Sequence, residues 1–355
     1  MSIEAIDTAK SLAARFDATV HLAHVHQFYY PSGFSAAMPP VIPYSTWTYD
    51  EEAEKYVAGE LHLLAKKHQL SPAAAHLLTG APAFDGISRL AKDLAADLIV
   101  MPTHGRTGFK RVFLGSTAER VVQHSPCPVL IIRKPTKRAS NGTSQRINTI
   151  LVPVDFSRCS AEGLRYAIWF AAKFAAKIVV LHVAELGIAY TADGYAMYDL
   201  SEPIKAARDD AARQMRQFVH GLKFGGVKFE TAISDGFAVD GICGFAESNN
   251  VDLIITSTHG RTGFDHVLMG SIAENVVRRA PCSVLTVPSF ARAALPRTRR
   301  THATDSRPGR SPAFTKSACS PIETEKLTRK YRKITAHEFP QRRRTNRFRE
   351  THLLS

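Results

Sequence analysis

The sequence predicts an α/β protein built twice over, as two tandem domains that each wrap a parallel sheet in helices. Three observations carry this expectation. The first is a repeat: Asp97–Ile132 aligns with Asp252–Val287 at a constant offset of 155, with 21 of 36 positions identical. The match extends upstream to Asp85-Gly86-Ile87 against Asp240-Gly241-Ile242. After a three-residue length change it reaches Ala23-His24-Val25 against Leu181-His182-Val183, and Glu4 against Glu162. Self-similarity on this scale marks a tandem duplication. The second is the alternation, in each copy, of short β-branched runs with longer amphipathic segments, the pattern of parallel strands joined by helices. The third is size: 355 residues, 45% hydrophobic and 22% charged, suffice for two ordinary cores.

In the second copy Ile147–Val154 is the first strand, followed by a helix over Ser160–Phe174 with Leu164, Ile168 and Phe174 at helical spacing. The elements then run Ile178–Val183 (strand), Glu202–His220 (helix), Val227–Ile233 (strand), Val239–Ser248 (helix), Asp252–Thr256 (strand), Ser271–Arg279 (helix) and Ser283–Val287 (strand). Five strands and four helices make a doubly wound domain. The first copy has no counterpart of Ile147–Ser157, because Met1 aligns with the start of its first helix. Either its N-terminus is truncated or this half depends on a partner. The domains are read as 1–133 and 147–288, with a linker over 134–146 rich in turn residues (Pro135, Ser140, Asn141, Gly142, Ser144) and a basic, disordered tail over 289–355.

Charge and cysteine usage exclude several classes. The net charge is +14, but 17 Lys+Arg against 5 Asp+Glu lie in 291–355, leaving +2 for the body. Nucleic-acid binding by the tail would show steep salt dependence. No reading module accompanies it, and a basic disordered terminus or an out-of-frame extension is the commoner explanation. Apolar runs fall far short of the roughly 20 residues that span a bilayer, and no signal-peptide pattern opens the chain, so no membrane partner and a cytoplasmic location are expected. Cys127, Cys159, Cys243, Cys282 and Cys319 show no C-x-x-C spacing and read as reduced thiols.

The string THGRTGF, the nine-residue interval from Gly105 or Gly260 to the following Gly-Ser, then AE-x-VV and PC-x-VL, and the opening ILVPVDFS together resemble the universal stress protein family over roughly residues 2–288. The resemblance implies Rossmann-like, parallel five-stranded sheets of order 3-2-1-4-5, a nucleotide site in ATP-binding members and a stress-response role. It also implies dimer-like packing of two domains, as a homodimer or an intramolecular pseudo-dimer. In that strand order the segment missing from the first copy is the centre of its sheet, so two inner strands would lose their ladder partner.

Glycines bring backbone N–H groups close to phosphate oxygens, and Ser116 or Ser271 at a helix start adds a hydroxyl to the positive helix N-terminus. Gly105 with Gly115-Ser116, and Gly260 with Gly270-Ser271, are thus read as anion cradles, against the plainer reading as turns. Neither a Walker loop nor a strand-following G-x-G-x-x-G is present. The family's ATP-binding pattern carries a further glycine where this chain has Pro102 and Ser257. Pro102 removes a donor and is the larger obstacle, so the second copy is the better nucleotide candidate. Asp155, after Pro153, matches the family's ribose-side carboxylate; on residue type alone it caps the next helix near Ser157 equally well. Val183 matches the position against adenine, or is a core valine. The resulting candidate set is Pro153, Asp155, Val183, Thr256, Ser257, Gly260, Arg261, Gly270, Ser271 and Ile272, with Val25, Gly105, Gly115 and Ser116 as weaker counterparts in the first copy. ATP is the expected cofactor, with Mg²⁺ unassigned.

Other constellations carry less. His21, His24 and His26 have strand spacing, but only His24 has a repeat partner, His182, so both read as structural residues at a strand end rather than metal ligands. Asp155, His259 and Ser271 lack a nucleophile elbow. Arg106 and Arg261 either offset phosphate charge or are solvated. Tyr44, Trp47, Tyr49, Tyr190, Tyr195 and Tyr198 either cover the cleft or pack an interface. With no general base, Mg²⁺ carboxylate pair or catalytic lysine beside the cradle, no enzyme beyond very slow ATP hydrolysis is expected. The alternative function is a non-nucleotide-binding interaction protein acting through domain pairing.

Overall fold

The structure, a computed structural model, describes residues 3–26, 51–80, 82–103, 114–133, 146–185, 201–258 and 269–288. The 134–146 linker, all but Arg146, and the tail over 289–355 lie outside these residues, as do the tyrosines and Trp47 of the two variable stretches.

The first copy runs α1 (Ile3–Phe16), β1 (Leu22–His26), α2 (Glu51–Lys67), β2 (Ala75–Thr79), α3 (Ala83–Asp93), β3 (Ile99–Pro102), α4 (Ser116–His124) and β4 (Val129–Ile132). The second runs β5 (Thr149–Pro153), α5 (Arg158–Phe174), β6 (Lys177–Ala184), α6 (Ser201–His220), β7 (Phe229–Asp235), α7 (Ala238–Ser248), β8 (Leu253–Ser257), α8 (Ser271–Arg279) and β9 (Ser283–Val287). Several boundaries differ from expectation by one or two residues, two of them for plain local reasons. Val227 falls out of β7 because its N–H is taken by the Phe224 carbonyl in a turn through Gly225 and Gly226, both left-handed. Helix α5 starts two residues early because Ser157 caps it.

The second-copy strands run β7-β6-β5-β8-β9, the expected order 3-2-1-4-5, all parallel. Central β5 pairs with β6 and β8 at once, with Leu151 opposite both Val179 and Ile254. Its near-continuous apolar run is required because both faces are covered. Leu151 faces a core shared with α4, α7 and α8, whereas Ile150 and Val152 face one shared with α1, α5 and α6.

The described strands of the first copy are arranged differently. Strands β1 and β2 pair only with each other as a separate two-stranded sheet, while β3 and β4 are appended to the second copy's sheet. Val25 is half-buried, whereas its counterpart Val183 is buried. One sheet of seven strands therefore runs through both copies, joined where β4 meets β9 antiparallel with Leu130 opposite Leu285. Antiparallel pairing satisfies the outer edges of both last strands at once.

Polar and aromatic groups lock this seam. The Thr286 hydroxyl donates to the Val129 carbonyl at 3.3 Å, and the Arg133 amide to the Ser283 hydroxyl at 3.2 Å. The Arg133 guanidinium crosses to the end of α8, donating to the carbonyls of Val277, at 2.9 Å, and Arg278. A cation there complements the helix dipole. Arg278 bridges Glu119 of α4 at 3.2 Å and Glu274 at 2.9 Å. On the opposite face Phe16 of α1 packs against Trp169 and Phe170 of α5, with ring centroids 4.9 and 5.4 Å apart. No helix among the described residues is long and apolar enough to cross a membrane.

Candidate functional site

Strands β5 and β8 are neighbours whose connections leave in opposite directions, so their carboxyl ends form the crevice where ligands of open parallel sheets bind. Strand alternation decides which side chains face it. Thr256 shares a face with Ile254, and Pro153 with Leu151, both directed toward α7 and α8.

Ser257, with the parity of Ile255, turns the other way. A β-carbon built on Gly163 of α5 would lie 3.5 Å from the Ser257 amide nitrogen and 3.6 Å from its β-carbon. The extra carbon that this position carries thus packs against the glycine on α5. In the first copy Pro102 ends β3, an edge strand of the sheet, where a missing N–H costs little.

The phosphate end of the crevice is the start of α8. Gly270 is the N-cap and supplies no side-chain cap, and the first helical bond runs from the Glu274 amide to the Gly270 carbonyl at 3.0 Å. The N–H groups of Ser271, Ile272 and Ala273 precede that bond and have no carbonyl within the helix to accept them. Ser271 is exposed, and so is Ile272. The Gly270 amide donates to the Thr258 carbonyl at 2.7 Å, and Gly115 repeats the bond to Thr103 at 2.9 Å. A β-carbon would sit 3.4 Å from the Thr258 oxygen at Gly270, an ordinary contact, and a tighter 3.2 Å from the Thr103 oxygen at Gly115. Ser116 starts α4 as Ser271 starts α8. Gly105, Arg106, His259, Gly260 and Arg261 lie outside the described residues.

The ribose-side wall is the turn from β5 into α5. One Asp155 carboxylate oxygen accepts the Ser157 amide at 3.0 Å, while Ser157 itself caps α5 by accepting the Ser160 amide at 3.2 Å. The cap is therefore Ser157, and Asp155 braces the turn ahead of it. Between them Phe156 adopts a left-handed backbone, φ 63°, a conformation that costs a bulky residue about 1–3 kcal/mol. Val183 is 8% exposed, and a β-carbon on Gly241 of α7 would come within 3.0 Å of both its methyls. Gly86 repeats this approach to Val25 more loosely, at 3.6 Å. The duplicated Asp-Gly-Ile was the signal for this contact in the sequence, whereas nothing marked Phe156.

His182 behaves as a strand-end residue, its Nδ1 donating to the Val154 carbonyl at 2.8 Å. His21 bonds His76 at 2.9 Å, nitrogen to nitrogen, and the two rings stack. Cys127 and Cys282 are buried packing residues: burial pushes Cys127 up to about 11 and Cys282 up to about 12, and raises the half-buried Cys159 and Cys243 as well. Because only the thiolate attacks, iodoacetamide at pH 8 is expected to leave Cys127 and Cys282 unmodified in the folded chain and to label both in urea, read by peptide mass mapping. Labelling of either at the rate of the unfolded chain would refute this.

The family model described as the universal stress protein family matches residues 1–133 and 146–288. Among curated relatives, universal stress protein MJ0531 of Methanocaldococcus jannaschii is 32% identical over 140 residues, covering 39% of this chain and 80% of the relative. MJ0577 of the same organism is 28% identical over 151 residues, covering 39% and 93%. A solved structure from Pseudomonas aeruginosa UCBPP-PA14, described as a universal stress protein, superposes with a TM-score of 0.51 at 18% identity, over 80% of this chain and 87% of that one. The repeated motifs, the 3-2-1-4-5 sheet and the twofold family match agree, and the chain belongs to the universal stress protein family.

Proposed function

We propose that the second copy binds ATP or a related adenine nucleotide, and that the protein works as a nucleotide-responsive stress or signalling module rather than as an enzyme. The observation that supports this most is the start of α8 at Gly270-Ser271. Its amides lie at the switch point between β5 and β8, with Asp155 on the neighbouring strand end. A helix N-terminus favours phosphate charge, and a carboxylate beside it accepts hydrogen bonds from ribose hydroxyls. The donor set fits the ligand, since the Ser257 β-carbon packs on Gly163 instead of filling the crevice. The Ser271 and Ile272 amides, behind the Gly270 neck, would hold phosphate, Asp155 the ribose and Val183 the base.

Thermal unfolding with ATP is the test. Ligand at 100 times its Kd adds about 2.7 kcal/mol of stability to the folded chain. That gain is expected for the wild type, reduced in Asp155→Ala and lost in Gly270→Val, whose branched side chain crowds the Thr258 carbonyl. No gain at millimolar ATP removes the reading. The β4–β9 seam favours a second one, an interaction module built on the paired copies. Nucleotide released on denaturing the purified protein supports the first reading, and its absence the second.

A further inference from the structure

Among the described residues six non-glycine residues have a left-handed backbone: Asp17, Gln69, Ala95, Phe156, Ala175 and Asn250. Five of them follow the last residue of α1, α2, α3, α5 or α7 within two positions, where that conformation ordinarily ends a helix. Phe156 differs, because it precedes a helix and is the largest of the six. Such a conformation persists only where the surroundings over-determine it.

Those surroundings come from β6 and α6. The Phe156 ring lies 4.2 Å from the His182 ring and meets Phe218 edge-on at 5.7 Å. His182 grips a second point, since its Nδ1 lies 2.8 Å from the Val154 carbonyl; a carbonyl only accepts, so Nδ1 carries the proton. The Val154 amide is held in turn by the Leu181 carbonyl at 2.8 Å. Both neighbours of Asp155 are therefore pinned to β6, one through its backbone and one through its ring.

We propose that Phe156 and His182 are positioning residues, which hold the Asp155 carboxylate at the crevice by clamping the residues on either side of it. The clamp locks the turn in which Asp155 accepts the Ser157 amide. Its consequence for nucleotide affinity rests on the reading under Proposed function; the clamp itself does not.

Hydrogen exchange over residues 154–157 and ATP affinity are measured in the full chain for wild type, Phe156→Gly, His182→Asn and Phe156→Tyr. Glycine accepts the left-handed backbone but removes the ring. Asparagine keeps a donor near the Nδ1 position but removes the ring that Phe156 packs on. Tyrosine keeps the ring. Faster exchange at 154–157 is expected in the first two variants, with exchange inside α5 unchanged and Phe156→Tyr like wild type. ATP affinity should fall about tenfold, the loss of one hydrogen bond to a charged group. Unchanged exchange at 154–157 overturns the clamp, even if melting temperature falls. Faster exchange with unaltered ATP affinity overturns the positioning role. Faster exchange in a chain whose wild type ignores ATP upholds the clamp and rejects the nucleotide reading instead.

Discussion

Leu285→Ala is expected to cost about 2–5 kcal/mol of stability, the range for emptying a closed core site. Leu285 is fully buried at the one place where the two copies share a sheet, flanked by Leu130 of β4 and Ile255 of β8. The site has little freedom to collapse, because its neighbours are held in backbone ladders on both sides. Urea unfolding followed by circular dichroism reads the loss, with Leu63→Ala as the control. Leu63 is 62% exposed on α2, and an exposed site away from special features should change stability by no more than about 0.5 kcal/mol. A cost for Leu285→Ala no larger than for Leu63→Ala would mean that the seam does not hold the copies together.

Two glycines of α7 should respond to alanine with opposite signs. Alanine gains up to about 1 kcal/mol over glycine in a helix interior. At Gly244 nothing lies within 4 Å of the new β-carbon, so Gly244→Ala should stabilise. At Gly241 that carbon would sit 3.0 Å from both methyls of Val183. Val183 is β-branched and held in β6, so it cannot rotate away, and overpacking costs about 1–3 kcal/mol. The clash exceeds the propensity gain, and Gly241→Ala should destabilise. The same shift of Val183 should weaken ATP binding if that side chain faces the base. Paired melting curves with and without ATP check both statements, and equal shifts for the two variants would refute the packing argument.

The second copy was legible because its elements state their environment locally. Central β5 reads as a near-continuous apolar run since both faces are buried, and β8 and β9 are apolar apart from small hydroxyl residues. Helix α8 is bounded as the sequence indicates by Gly270 ahead and Pro281 just behind. The site was legible only as a set of residue types. Glycine at 270 and 115 was read for phosphate, and the structure adds a second reason, the closed necks to Thr258 and Thr103. Ser257 counted as an obstacle because a sequence does not show that the opposing position on α5 is Gly163. The left-handed Phe156 had no signal at all, since aromatic residues do not favour that conformation and only the His182 and Phe218 rings make it tenable.

The duplication follows from the chain alone, because repeated motifs and hydrophobic period are properties of short stretches; the strand order, which the structure keeps in the second copy, was implied by the family resemblance those motifs carry. Three-dimensional packing decided the rest. Strand pairing joins edges that are distant in sequence: among the described residues β1–β2 stand apart from β3–β4, and β3–β4 continue the sheet along the rim of β9. Side-chain direction at the crevice was settled the same way, by which residue stands opposite in space, a relation that linear order does not contain.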